Sequence, residues 1–288
     1  MMCLYLFVLP FLLLLLILTI IFAVKKMWKW ATMAFFLFLI TNYVTQTIPF
    51  NLTLGKDSDK ADLKVLCYNV RCLNSAYPDN EIKIARQILA EDPDVIYLCE
   101  FALYRNRQLD SIMNKNSYCR YYISGTNCVF YSKYLIVSFE SIIKEGMTRK
   151  HSLNAMALVD VKGTKITIIG CHLSSSHHHL LEGYNRRQKE ADTIYDIITK
   201  NSYPVIVMGD MNDISGSYTI RRIQDAGLVD AWWERGCGYG TTFHNKLLKL
   251  RLDHILYQKE KINLKHVRVI DSDFSDHNAL FASFTFVK

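Results

Sequence analysis

Carboxylate and amide side chains follow short apolar runs at two places in this chain. Val95–Cys99 is followed directly by Glu100, and Val205–Met208 is followed, after one glycine, by Asp210 and then Asn212. Apolar runs of this length are typical of buried strands, so we expect these side chains at strand ends that open on a cleft. There Glu100 could bind Mg²⁺, which prefers oxygen ligands, while Asp210 orients or deprotonates a water molecule and Asn212 holds a phosphate oxygen. For Glu100 taken alone, a solvated strand end is an equally good interpretation.

Two histidines stand where catalytic groups are expected. The apolar run Ile168–Cys171 leads into His172, which could hydrogen-bond a phosphoryl oxygen or protonate a leaving group near neutral pH. Asp253 and His277 belong to successive strand segments, and a carboxylate paired with the ring would fix its tautomer and raise its basicity. A structural salt link is the alternative for this pair. The run His177–His179 is interpreted as solvated surface, because consecutive loop histidines rarely converge on one site.

One further segment, Leu66–Arg71, is a strand-like run that ends in an amide, Asn69, and a cation, Arg71. By itself it is better explained as a strand that meets a loop. The five segments together exceed coincidence, and together they indicate a metal-dependent hydrolase.

The elements that must position these side chains are strands alternating with helices. The helical patterns are Asn80–Glu91 and Glu182–Thr199, each with apolar residues on one face. The strand-like runs are Leu63–Val70, Val95–Cys99, Cys128–Ser132, Ala155–Val161, Lys165–Cys171, Val205–Met208, His254–Tyr257 and Ala279–Val287. This order predicts an α/β (α+β) layered domain with two packed sheets flanked by helices.

In their order along the chain, these segments resemble the endonuclease/exonuclease/phosphatase superfamily. This superfamily includes DNase I-like nucleases, abasic-site endonucleases, neutral sphingomyelinases and inositol-polyphosphate phosphatases. The resemblance runs from about residue 63 to 287, and its motifs are Asn69-Val70-Arg71, the strand ending in Glu100, Cys171-His172-Leu173, Gly209-Asp210-Met211-Asn212, Arg251-Leu252-Asp253 and Ser275-Asp276-His277. It implies a four-layer, DNase I-like α/β sandwich.

The resemblance also implies a metal site. Glu100 would be the main Mg²⁺ ligand, assisted by Asn69 and Asp276, and Mn²⁺ would be accepted by the same oxygen ligands. Abasic-site endonucleases of this superfamily carry an acidic residue where this chain has Arg71. This departure disfavours a second metal site and an abasic-repair role, and it makes Arg71 a candidate ligand for a substrate phosphate oxygen.

The remaining roles implied by the resemblance belong to the hydrolytic step, which is attack of water on phosphorus in line with the leaving group. Asp210 and Asn212 would position the water and the phosphoryl group. Asp253 would orient His277, and His172 would stabilise the charged transition state or the leaving group. Either Asp210 or His277 could be the base.

The N-terminal residues 1–50 contain only three charges, Lys25, Lys26 and Lys29, and two apolar runs at about residues 4–24 and 31–50. Each run has the length of a membrane span, so we predict a transmembrane hairpin, a linker over residues 51–62 and a catalytic domain over residues 63–288. A signal peptide or a single anchor is the alternative. Because the lysines lie between the runs, the positive-inside rule predicts an integral membrane protein with an extracytoplasmic catalytic domain and the bilayer as a partner.

Composition limits the function classes. With 50% hydrophobic and 21% charged residues, the chain is neither disordered nor collagen-like. The formal net charge is +7, of which the three N-terminal lysines supply +3, so the remainder lacks the dense basic face of a strong non-specific DNA binder. Cys67, Cys99 and Cys171 fall in apolar runs and are predicted to be buried free thiols.

Three functions are consistent with these observations. The leading one is a Mg²⁺-dependent phosphodiesterase acting on extracytoplasmic nucleic acid. The second is a sphingomyelinase-like or inositol-phosphate-type phosphoesterase acting at the membrane. The third is a non-catalytic binding module, which would require the loss of at least one of the site residues, and none of them is missing from the sequence.

Overall fold

The computed structural model describes residues 2–47, 49, 51, 60–71, 80–101, 107–122, 127–142, 154–175, 180–245 and 248–287. The helices are α1 (Met2–Val24), α2 (Trp28–Thr47), α3 (Asn80–Glu91), α4 (Arg107–Lys115), α5 (Leu180–Thr199), α6 (Tyr218–Gln224) and α7 (Ala231–Arg235). The strands are β1 (Leu63–Asn69), β2 (Val95–Cys99), β3 (Cys119–Tyr122), β4 (Cys128–Ser132), β5 (Leu135–Ser141), β6 (Ala155–Val161), β7 (Thr164–His172), β8 (Val205–Asp210), β9 (Val229–Asp230), β10 (Phe243–His244), β11 (Lys249–Leu250), β12 (Asp253–Tyr257), β13 (Ile262–Ile270) and β14 (Ala279–Phe286).

The chain forms two compact units. The first consists of residues 1–54 and 233–239 and contains α1 and α2, and the second consists of residues 55–232 and 240–288. Most of the predicted linker, residues 52–59, lies outside the described residues.

The prediction of an integral membrane protein is wrong. Among the helices in the described part of the chain, none has both the length and the apolar character needed to cross a bilayer. The predictions of a bilayer partner and of an extracytoplasmic catalytic domain depended on these spans and lose their basis.

The second unit contains two mixed six-stranded sheets. One has the strand order β13-β14-β1-β2-β4-β3 and the other has the order β5-β6-β7-β8-β12-β9. In each sheet the central pair is parallel, β1 with β2 and β7 with β8, and the other neighbours are antiparallel. Strands β10 and β11 form a separate two-stranded hairpin.

Alternate residues of the strands face two different apolar layers. Val65 of β1 and Ile206 of β8 belong to the cluster that fills the space between the sheets. The intervening residues face outwards, so that Leu66 packs with α3 and α4 on one side and Val207 packs with α5 and α6 on the other. The layers therefore follow the order helix, sheet, sheet, helix, which confirms the predicted four-layer α/β sandwich.

Two glycines allow the sheets to approach each other around Tyr97. A Cβ atom on Gly170 would lie 2.3 Å from Cδ2 of Tyr97, and one on Gly209 would lie 2.9 Å from Cε1 of the same ring and 2.1 Å from the carbonyl oxygen of Cys171. Gly209 also has a φ of +133°. Because glycine accepts this conformation, β8 does not end at Met208, where the predicted run ends, but continues through Gly209 to Asp210.

Candidate active site

The candidate site residues continue the inner faces of the two sheets beyond the apolar core. Side chains of a strand alternate between faces, so residues two apart share a face. Asn69 follows the core residue Cys67 at this spacing, and Asp210 follows Met208 in the same way. Asp253 precedes the core residue Ile255 by two positions on β12. The strand period that builds the core thus also brings these polar side chains between the sheets.

Strand register in the second sheet places three of the residues side by side. His172 pairs with Asp210 across β7 and β8, and Asp253 pairs with Asp210 across β8 and β12. Directly paired residues have Cβ atoms about 5 Å apart on one face of the sheet. Asp210 therefore lies between a histidine and a second carboxylate.

Glu100 reaches the inner face through an unusual backbone conformation. It follows the last residue of β2, where the alternation would turn its side chain towards α3 and α4. Its φ of 52° departs from the extended conformation, and its Oε1 atom accepts a hydrogen bond of 3.0 Å from Nδ2 of Asn69. The carboxylate is consequently held at the site.

Asn69 connects the two sheets. Its Nδ2 atom also donates to Oδ2 of Asp210 at 2.9 Å, and its Oδ1 atom accepts from the backbone N–H of Arg71 at 2.9 Å. Carboxylates accept and an N–H donates, so these partners determine the orientation of the amide. Its nitrogen faces both carboxylates, which indicates that Asn69 positions Glu100 and Asp210.

Asp210 is almost fully buried, with 1% of its surface exposed. Its Oδ1 atom accepts from the backbone N–H of Asn212 at 2.8 Å. Asn212 has a φ of 48° and donates from Nδ2 to the carbonyl oxygen of Leu173 at 2.9 Å. Both oxygens of Asp210 thus have neutral donors, which hold the carboxylate in one orientation.

His277 and Asp253 form the predicted carboxylate–imidazole pair. Nδ1 of His277 lies 2.8 Å from Oδ2 of Asp253, and Nε2 lies 3.7 Å from Oδ2 of Asp210. Burial by itself lowers the pKa of the ring, but the charges of Asp253 and Asp210 outweigh it and raise the pKa of His277 to about 10. Near neutral pH this histidine is a cation, whose Nδ1 donates to Asp253.

His172 approaches the site from the opposite side of Asp210. Its Nε2 atom lies 3.7 Å from Oε1 of Glu100 and 3.9 Å from Oδ2 of Asp210, and its backbone N–H donates to Oδ1 of Asn154 at 2.9 Å. Two imidazoles therefore flank the buried carboxylate.

Arg71 and Asp276 form an ion pair at the edge of the site. Nη1 of Arg71 lies 3.2 Å from Oδ2 of Asp276, and 54% of the arginine side chain is exposed. Arg71 has a φ of 46°. The guanidinium of Arg71 is thus exposed enough to contact a phosphate, and the carboxylate of Asp276 is paired with this guanidinium.

The donor set suits one hard cation at Glu100. Its carboxylate is 35% exposed, compared with 2% for Asp210, and Mg²⁺ takes one or two carboxylates while water and substrate phosphate complete its shell. Asp210, Asp253 and His277 also have ligand atoms within 4.8 Å of one another. All three of these residues are buried, and Nδ1 of His277 is already paired with Asp253.

Several residues that hold the site were not predicted. Oγ of Ser275 donates to the carbonyl oxygen of Asn69 at 2.8 Å, and Oγ1 of Thr242 accepts from the N–H of Asp253 at 2.9 Å. Of the helical arginines that follow His172, Arg187 is buried and contacts Asp213. Ser275 adjoins Asp276-His277 and could have been suspected, whereas Thr242 and Arg187 have no local sequence signal. The histidine run at residues 177–179 lies outside the described residues.

Comparisons with known proteins give one family. A model of the Endonuclease/Exonuclease/phosphatase family matches residues 66–277, whereas no curated protein sequence matches the chain.

Solved structures share the fold at low identity. An endonuclease/exonuclease/phosphatase family protein from Bacteroides thetaiotaomicron is 17% identical, with a TM-score of 0.67 over 78% of this chain and 98% of that one. TDP2 from D. rerio, solved with a single-strand DNA product, is 19% identical, with a TM-score of 0.65 over 77% and 98%. Beta toxin from Staphylococcus aureus, solved with bound magnesium ions, is 17% identical, with a TM-score of 0.57 over 77% and 99%.

Proposed function

Because the chain belongs to the endonuclease/exonuclease/phosphatase family, we propose that it is a Mg²⁺-dependent phosphodiesterase that hydrolyses nucleic acid by direct attack of water on phosphorus. The observation that carries this proposal is the environment of Asp210. This buried carboxylate receives hydrogen bonds from Asn69 and Asn212 and has the imidazoles of His172 and His277 within 3.9 Å. Hydrolysis of a phosphodiester needs such a base next to cationic or neutral donors.

Glu100 would hold the metal ion, with its carboxylate positioned by Asn69. When bound, the ion would polarise a phosphoryl oxygen and offset the charge that develops on it. Asp276, which directly precedes His277 in the chain, would assist Glu100 in binding the ion. Mn²⁺ could replace Mg²⁺ at this site because it takes the same oxygen ligands.

Asp210 is the proposed base. With its pKa raised to about 10, His277 already carries a proton near neutral pH and cannot accept another one. Asp210 is held by two neutral donors. Its carboxylate can therefore accept a hydrogen bond from the attacking water, orient it and take a proton from it. Asn212 keeps the carboxylate in this orientation and presents its own amide to the phosphoryl group.

The two histidines are the proposed charge-stabilising groups. The His277 cation, oriented by Asp253, would donate from Nε2 to a phosphoryl oxygen, and His172 would donate to the transition state or the leaving group. Arg71 would bind a non-bridging phosphate oxygen at the exposed edge of the site.

Nucleic acid is the proposed substrate class. The D. rerio TDP2 structure contains a single-strand DNA product, and the modest positive charge that remains outside the three N-terminal lysines favours the approach of a polyanion. The exposed position of Arg71 at the cleft edge is compatible with a backbone phosphate.

The full chain should be incubated with Mg²⁺ or with EDTA and a panel of plasmid DNA, single-stranded DNA, RNA, sphingomyelin, inositol phosphates and bis-p-nitrophenyl phosphate. We expect EDTA-sensitive cleavage of a nucleic acid. Glu100→Gln and Asp210→Asn should each lower the rate by about 100-fold or more. Glu182→Gln is the matched control, because Glu182 pairs with Arg186 on the surface of α5, and it should retain the wild-type rate.

Two outcomes would contradict this proposal. Turnover of sphingomyelin or inositol phosphate with every nucleic acid intact would reject the substrate class while keeping the chemistry. Wild-type rates in both Glu100→Gln and Asp210→Asn would reject the assigned site.

A further inference from the structure

A second group of buried polar side chains lies behind the site, on the helix side of the second sheet. Along β12, Asp253 faces the site and the next residue, His254, faces the opposite way. His254 is fully buried, and Arg251 and Asp230 are each 3% exposed. These three residues are called the Arg251 cluster below.

The members of the Arg251 cluster hold one another. Nη1 of Arg251 lies 2.8 Å from Oδ2 of Asp230 and 3.1 Å from its Oδ1. Nδ1 of His254 lies 3.2 Å from Oδ2 of Asp230 and 3.1 Å from Nη1 of Arg251. Burial raises the pKa of Asp230, but the charge of Arg251 and the hydrogen bond from His254 outweigh it and lower the pKa well below its usual range. The carboxylate therefore stays ionised and paired.

The cluster also binds the loop that follows β8. Nε2 of His254 donates to the carbonyl oxygen of Asp213 at 3.0 Å, since a carbonyl only accepts, and Nη2 of Arg251 donates to Oγ of Ser215. From the other side of the loop, Oγ1 of Thr219 donates to Oδ2 of Asp213 at 2.8 Å. Residues 213–215 are thus attached at two points, to His254 of β12 and to Arg251 just before this strand.

The attached loop carries the group that orients Asp210. The N–H of Asn212 donates to Oδ1 of Asp210, and Asn212 has the left-handed φ of 48°, a conformation that is costly without support from its surroundings. Asn212 adjoins Asp213, whose carbonyl oxygen His254 fixes. A change at Ser215 or Arg251 would therefore reach Asp210 through the backbone.

The stability of the fold does not by itself explain why charged residues are buried in the Arg251 cluster. A buried ion pair with its hydrogen-bonded partners is often no more stable than apolar side chains of the same volume. What the charged cluster provides, and an apolar one would not, is a set of directed donors aimed at the loop atoms.

We propose that Arg251, held by Asp230 and His254, is a positioning residue for hydrolysis, which fixes the loop at residues 212–215 so that Asn212 keeps Asp210 oriented towards the attacking water. This inference rests on the proposed function. It predicts that loss of the Arg251–Ser215 hydrogen bond slows the chemical step without unfolding the protein.

The test is Ser215→Ala in the full chain, assayed with Mg²⁺ and bis-p-nitrophenyl phosphate. Ser215→Ala should lower kcat about tenfold, because catalytic groups lose rate steeply with sub-ångström misplacement, while KM changes less than about twofold and the thermal midpoint is unchanged. Ser215→Thr retains the hydroxyl and should restore kcat. Ser217→Ala is the matched control, since Ser217 accepts a hydrogen bond from the N–H of Ile220 at the start of α6. It should lower the thermal midpoint by about 3 °C with kcat unchanged.

Wild-type kcat in Ser215→Ala would overturn the inference. So would a loss of kcat that Ser215→Thr does not restore, because the hydroxyl would then be irrelevant. A further outcome is that the wild-type chain hydrolyses the diester, Asp210→Asn does not, and Ser215→Ala has the kcat of wild type. That combination would support the proposed function and reject the positioning role of Arg251. If the wild-type chain hydrolyses nothing on the panel, the proposed function fails and this inference fails with it.

Discussion

Three site residues have a backbone conformation that residues other than glycine rarely adopt. Arg71, Glu100 and Asn212 have φ angles of 46°, 52° and 48°. The left-handed region costs about 1–2 kcal/mol per residue for an L-amino acid. Each of the three redirects a side chain or an N–H at the point where a strand ends, so the strain is located where the site requires a change of direction.

Substitutions at Arg71 should show this strain directly. Arg71→Gly should have a free energy of unfolding about 1 kcal/mol higher than Arg71→Ala, because glycine adopts a positive φ without penalty. At Arg86, an exposed position inside α3, the order should be reversed by a similar amount. Urea unfolding of the four variants measures both differences. Equal stability of Arg71→Gly and Arg71→Ala would be inconsistent with strain at this residue.

The His277–Asp253 pair should give the metal-free protein a pH-dependent stability. The folded-state pKa of about 10 lies above the ordinary value of 6.5, so the stabilisation is fully present below pH 6.5 and is lost as the pH rises through 10. Asp253→Asn removes the main charge that raises the pKa of His277, so the free energy of unfolding should vary less with pH between 6.5 and 10 in this variant. Denaturant unfolding in EDTA from pH 6 to 10.5 measures the free energy of unfolding of both proteins.

A direct measurement of the pKa of the His277 ring distinguishes the loss of the Asp253 charge from a general loss of stability. NMR titration of the His277 imidazole should show a pKa near 10 in wild type and a lower one in Asp253→Asn. Asp192→Asn, which removes a surface partner of Arg222, should leave the titration unchanged. A His277 pKa that is the same in Asp253→Asn as in wild type would refute the assigned cause.

At the scale of elements, strands with at least one fully buried face were predictable, whereas strands in which exposed and buried residues are mixed were not. Val95–Cys99, Cys128–Ser132 and Ala155–Val161 have the predicted bounds, because strands that are buried on one or both faces carry a clear apolar pattern. β5 and β13 were missed, since exposed and buried residues are mixed along them and each contains a register shift.

The candidate site was predictable where a polar residue ends an apolar run. Asn69, His172 and Asp210 are the last residues of β1, β7 and β8. The supporting residues could not be found in this way, because Thr242 and Arg187 act through contacts between segments distant in sequence. Buried free thiols were predicted correctly at Cys67, Cys99 and Cys171.

The course of β8 depends on Gly209, and substitution there should be severe. A Cβ atom would lie 2.1 Å from the carbonyl oxygen of Cys171, and the φ of +133° is unfavourable for any other residue. Gly209→Ala should therefore lower the free energy of unfolding by about 3 kcal/mol or more. Gly163→Ala is the control, because Gly163 has a φ of +90° with nothing within 4 Å of a Cβ atom, and its cost should be about 1 kcal/mol. Thermal or urea unfolding measures both, and equal losses would mean that the Gly209 contact is unimportant.

At the scale of the whole domain, Asn69 is a buried polar connection between the sheets. Asn69→Asp would place a third carboxylate beside Glu100 and Asp210 and replace two donated hydrogen bonds by repulsion. We expect the free energy of unfolding at pH 7 to fall by about 2 kcal/mol or more, with partial recovery on addition of Mg²⁺. Asn263→Asp, at an exposed position of β13, should have little effect. Unfolding curves with and without Mg²⁺ test this, and an unchanged stability would show that Asn69 does not hold the two carboxylates.

The ring of Tyr97 has a consequence for which substrates can enter. It lies between the sheets against Gly170 and Gly209, and it belongs to the same strand that ends before Glu100, while Gly209 immediately precedes Asp210. An aromatic ring in the apolar interior therefore spaces the strands that lead into the proposed metal-binding and water-activating carboxylates, which Asn69 then holds together. A change of side-chain volume at position 97 would alter the distance between these strands, so variants intended to accept a phosphoester of another size should include this position.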